Sequence, residues 1–128
     1  MLNQPSNISP DEINGSGTVD LSAGITISWQ VSGDSPLTAY QIVFYQNNAA
    51  STQIASTGKV TLASPFWGVN YKGETQFFSV ALTAAFFSSA GMSNGNEYKY
   101  QITQWYGSGS NDSITQATAS LLLGRSAP

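Results

Sequence analysis

The chain predicts an all-β fold, a seven-stranded antiparallel sandwich of two sheets. Three observations carry this. The segment 25–31 alternates apolar and polar residues without a fault, the mark of a half-buried strand. Gly, Ser, Asn and Pro clusters interrupt the chain at short intervals, as sandwiches require. Thr, Ser, Val, Ile and aromatics dominate, while only 9% of residues are charged, so strand formers outnumber the charged helix formers.

The elements follow in order. Residues 1–16 are polar and read as a lead-in, with Ile8 and Ile13 as lone apolar anchors. Thr18–Leu21 is a candidate short strand, and Ala23-Gly24 turns the chain. In the next strand Ile25, Ile27, Trp29 and Val31 face one way, while Thr26, Ser28 and Gln30 face the other. Ser32–Pro36 is turn chemistry. Thr38–Gln46 places Tyr40, Ile42 and Phe44 on one face and Gln41, Val43 and Tyr45 on the other. After a turn at 47–51, Thr52–Ser56 returns as a short polar strand.

Residues 59–76 form an aromatic excursion. Val60 and Leu62 alternate, but Pro65, Gly68 and Gly73 argue against a regular element around Phe66, Trp67 and Tyr71. Phe77–Thr83 resumes a strand, with Phe78, Val80 and Leu82 in register. Ala84–Ala90 predicts one helical turn ended by Gly91. Tyr98–Tyr106 is a long aromatic strand, 107–112 a flexible loop, and Ile114–Leu123 the last strand. Residues 124–128 read as a linker. With 128 residues the chain fits a single domain spanning 1–128, large enough to bury a core without staples.

The early Trp29, the Tyr40-x-Ile42-x-Phe44 strand and the run Met92-Ser93-Asn94-Gly95-Asn96-Glu97-Tyr98-Lys99-Tyr100-Gln101-Ile102 together resemble the fibronectin type III pattern. The resemblance covers roughly residues 5–123. It implies that Tyr98 is the tyrosine corner, its hydroxyl bonding back to the backbone upstream. It also makes Met92 the stand-in for the usual Leu, and Trp29 and Tyr40 core residues. Two features depart from the family: Asn94 stands where a Pro is expected, and 59–76 is longer and more aromatic than usual. The small neutral polar surface is similar in style to modules of bacteriophage and prophage tails and of bacterial surface proteins. That similarity implies an extracellular or virion location.

Composition narrows function. There is no His, hence no imidazole base or ligand, and no Cys, hence no disulfide, thiolate zinc site or thiol nucleophile. A net charge of −3 argues against nucleic-acid binding, which needs a basic stripe. No apolar run approaches transmembrane length, and the N-terminus has no signal-peptide pattern. Asp34 and Asp112 fall in loops that the resemblance places at one end, with Asn111 beside them. As solvated turn residues they need no catalytic or calcium role. Gly107-Ser108-Gly109 lacks the Lys and helix of a phosphate cradle. Sequons at Asn7, Asn14 and Asn111 are expected by chance in so Asn/Ser-rich a chain. No enzyme, metal or cofactor is expected.

The chain has fifteen aromatics, and alternation assigns many of them to the core. Tyr45 and Trp105 fall on the opposite phase and should share an outer face. With Phe66, Trp67 and Tyr71 they are the candidate interaction surface. In the simplest arrangement the 59–76 excursion folds over that face. If some of these rings stay exposed, they anchor a contact, because exposed apolar patches mark interaction sites. The expectation is a non-catalytic structural and adhesive module of a larger tail, virion or cell-surface assembly. Its partners would be neighbouring protein subunits or domains. The alternative is a carbohydrate-binding module using exposed aromatics.

Overall fold

A computed structural model describes residues 5–9, 24–33, 36–46, 53–68, 73, 75–92, 97–106 and 113–122. Eight strands and one helix follow in order: β1 (Ser6–Ser9), β2 (Ile25–Gln30), β3 (Leu37–Gln46), β4 (Gln53–Ser56), β5 (Val60–Phe66), β6 (Phe77–Leu82), α1 (Ala84–Ser89), β7 (Glu97–Tyr106) and β8 (Ser113–Leu122). They form two antiparallel sheets. The smaller runs β1-β2-β6; the larger runs β4-β3-β7-β8, with β5 also pairing with β3. Because β4 and β5 follow the same edge of β3, the eight strands occupy seven lanes of a sandwich.

The alternation read in the sequence sets the core. Ile25, Ile27 and Trp29 of β2 face Ile42 and Phe44 of β3 and Tyr98, Tyr100 and Ile102 of β7 in one buried cluster. Trp29 is fully buried and is the largest side chain there. Its ring centroid lies 5.3 Å from Phe78 and 6.0 Å from Tyr40. Its indole N–H donates to the Gln104 side-chain oxygen across the sandwich at 2.9 Å. This bond satisfies two polar groups that would otherwise be costly to bury. A second aromatic group joins Phe44, Phe86, Phe87 and Tyr100 at centroid distances of 5.2–6.0 Å.

Helix α1 is fixed at both ends by its sequence. Thr83 caps the start, its hydroxyl accepting the Phe86 N–H at 3.2 Å. Gly91, at φ +78, ends it. The Met92 N–H donates to the Phe87 carbonyl and the Gly91 N–H to the Ser88 carbonyl, a Schellman pattern. Phe87 and Met92, brought together by that stop, are both buried in the core. The helix therefore plugs one end of the sandwich between β6 and β7.

Two elements differ from the sequence expectation. Part of the lead-in, Ser6–Ser9, is a strand pairing with β2. Three polar residues around Ile8 make a strand too short to show a period, and the ladder is irregular where Asn7 takes a φ of +49. Ile8 does pack on the core, as an anchor should. The second difference lies in 59–76, whose first part is strand β5. Pro65 is tolerated because β5 lies at the sheet edge and its register with β3 shifts between Leu37 and Ala39. Between β4 and β5, Thr57 bridges to Ile42 twice: its N–H donates to the Ile42 carbonyl, and its hydroxyl accepts the Ile42 N–H, both at 3.0 Å. The predicted strand at 18–21, the 47–51 turn, the 107–112 loop and the 124–128 linker lie outside the described residues.

Candidate functional site

The two faces of the larger sheet sort the candidate residues. Along β7, Tyr98, Tyr100, Ile102 and Gln104 are buried on the inner side. Lys99, Gln101, Thr103 and Trp105 alternate with them on the outer side. Along β3 the outer residues are Ala39, Gln41, Val43 and Tyr45. Tyr45 and Trp105 thus share the outer face, as alternation requires, and each is half-buried. They do not form one cluster. Tyr45 stands opposite Lys99, whereas Trp105 stands opposite Ala39, six residues further along β3. At about 3.4 Å per residue this puts them about 20 Å apart. Between them Ala39, Val43 and Thr103 are buried. The ammonium of Lys59 sits 4.8 Å above the Trp105 ring, a cation–π contact reaching over from the neighbouring edge.

Phe66 is not on that face. Its ring packs at 5.1 Å against Phe78, part of the Trp29–Tyr40–Phe78 cluster between the sheets. Phe66 lies on the same strand phase as Val60 and Leu62, and with Leu62 it packs against the core. Trp67, the next residue, points the other way and is 54% exposed. Phe77, at the start of β6, is 49% exposed. Among the described residues these are the exposed large hydrophobics.

Trp67 and Phe77 emerge from backbone segments held side by side. The Gln76 N–H donates to the Gly68 carbonyl at 2.8 Å, and Phe66 touches Phe78 on the inner side. These two links run antiparallel and bracket Trp67 opposite Phe77 at the seam where β5 meets β6. Gly68 is itself pinned, its Cα against the Val31 carbonyl just beyond β2. Sequence reasoning singled out Trp67 but passed over Phe77. The signal was present, since Phe78, Val80 and Leu82 pointing inward leave Phe77 outward.

Trp29 and Tyr98 are buried in the core and Tyr40 is packed against it. Tyr98 is the second residue of β7, just after the crossing from the smaller sheet. Burial pushes the Tyr40 phenol above its ordinary value near 10. The folded state then holds this proton more tightly than the unfolded chain. Stability should be unaffected below about pH 10 and fall as pH rises further. Spectrophotometric titration at the phenolate band checks this: Tyr40→Phe should diminish the late-ionising part of the curve.

Tyr71, Asp34, Asn111 and Asp112 lie outside the described residues. Among the described residues no three His, Cys, Asp or Glu side chains come together as metal ligands. No helix there is long and apolar enough to cross a membrane. Compared with known protein families the chain matches none, and no curated protein matches it.

Proposed function

We propose that this chain is a non-catalytic, fibronectin type III-like module that acts by surface contact, as a structural and adhesive unit of a larger assembly. The sheet order supports the fold-family part of this reading. Three strands pack on a larger sheet, the chain crosses between sheets after β2, β5 and β6, and a buried tyrosine opens the strand after the last crossing. The contact part rests on the outer face of the larger sheet. That face carries the half-buried rings of Tyr45 and Trp105 about 20 Å apart. Such a surface suits a neighbouring protein subunit, with aromatic anchors at its ends. A phage or prophage tail, a virion or a bacterial surface assembly fits a sparsely charged module of this kind.

Sedimentation velocity over a range of concentrations tests the module picture. It should give a monomer or weak, concentration-dependent association. An obligate intertwined oligomer would contradict it. A second reading, carbohydrate binding, is favoured by one observation: Trp67 and Phe77 present exposed rings away from the Tyr45–Trp105 face.

A further inference from the structure

We propose that Trp67 and Phe77 form the platform for a neutral oligosaccharide. This rests on the carbohydrate reading above and gives it an address and a ligand class. The rings rise from opposite sides of the seam between β5 and β6, from backbones joined by the Gln76–Gly68 hydrogen bond. The platform is held rigidly from beneath, by Phe66 on Phe78 and by Gly68 against Val31. Little ordering is then needed when a ligand lands.

The small exposed area of the two rings favours a small ligand at this spot. With 54% and 49% of their surfaces exposed, the two side chains present about 200 Å² together. A stable protein interface needs about 800 Å² per partner. A short saccharide needs far less, because the C–H face of a pyranose stacks directly on an aromatic ring. The surroundings agree. Gln30 pairs with Phe77 in the β2–β6 ladder, and Ser28 with Ser79. Thr75 is exposed and Gln76 half-buried beside them. Amide and hydroxyl groups of this kind exchange hydrogen bonds with sugar hydroxyls. The charged side chains that the structure describes, Lys59 and Lys99, belong to the outer face of the other sheet. Among the described residues no charged side chain is placed beside the rings, which favours an uncharged glycan over a sulfated or uronic one.

The test is titration of the full chain with cellohexaose, chitohexaose, xylohexaose, mannohexaose and a heparin hexasaccharide, followed by calorimetry and tryptophan fluorescence. At least one neutral hexasaccharide should bind. Trp67→Ala and Phe77→Ala should each weaken it about tenfold or more, with melting temperatures nearly unchanged because both side chains are exposed. Trp105→Ala should leave binding intact. Binding of heparin alone overturns the neutral-ligand assignment. Loss of sugar binding in Trp105→Ala but not in Trp67→Ala overturns the placement and leaves the carbohydrate reading standing. If no oligosaccharide binds, platform and carbohydrate reading fall together, while contact through the Tyr45–Trp105 face is untouched.

Discussion

Trp29→Ala is expected to remove about 4 kcal/mol of stability. The indole is fully buried, and its loss empties the largest volume in the core. Tyr40 and Phe78 each lose a ring neighbour, at 6.0 Å and 5.3 Å. Gln104, also fully buried, loses the indole N–H that its side-chain oxygen accepts. For a domain of this size the melting temperature should drop by about 15 °C. Trp29→Phe separates the contributions. It keeps a ring in the cluster but not the donor, and should cost roughly half as much. An unmoved melting temperature in Trp29→Ala would place β2 in the wrong register.

Gly68→Ala is expected to be nearly as severe, for a different reason. A Cβ at this position would lie 1.6 Å from the Val31 carbonyl oxygen and 2.4 Å from its carbon. Both are backbone atoms, so no side chain can swing aside. The segment 66–68 must move off the end of β2, straining the Gln76–Gly68 hydrogen bond and lifting Phe66 from Phe78. Overpacking of this kind costs about 3 kcal/mol, and a melting-temperature drop of about 10 °C should show it. Gly58→Ala is the comparison. A Cβ there meets nothing within 4 Å, so its cost comes only from the φ of +68 and should stay near 1 kcal/mol. If Gly68→Ala is no worse than Gly58→Ala, the close approach of the two backbones is wrong.

Much of this fold is legible in the sequence because period-two alternation survives in β2, β3, β6 and β7. The inward sets Ile25–Ile27–Trp29 and Tyr40–Ile42–Phe44 were readable directly, and so was the Gly91 stop after α1. Strand β1 was not, because four residues cannot display a period and Asn7 breaks the one they have. Strand β5 was hidden by Pro65, which forbids a central strand but not an edge. Once β5 is recognised as a strand the site follows: Phe66 shares the phase of Val60 and Leu62 and turns to the core, while Trp67 takes the opposite phase and reaches solvent. Phase showed that Tyr45 and Trp105 share a face. Their distance depends on the β3–β7 register, and only the structure supplies it.

The central claim is a sandwich built around one tryptophan that displays another. Acrylamide quenching of three single-tryptophan variants, each keeping Trp29, Trp67 or Trp105, tests it most directly. Phe replaces the other two, and each variant is first checked for retained fold by far-ultraviolet circular dichroism. Trp29 should emit furthest to the blue and be quenched least, Trp67 should be quenched most, and Trp105, half-buried under Lys59, should fall between them. A Trp67 as shielded as Trp29 would contradict the display surface. A freely quenched Trp29 would contradict the sandwich core itself.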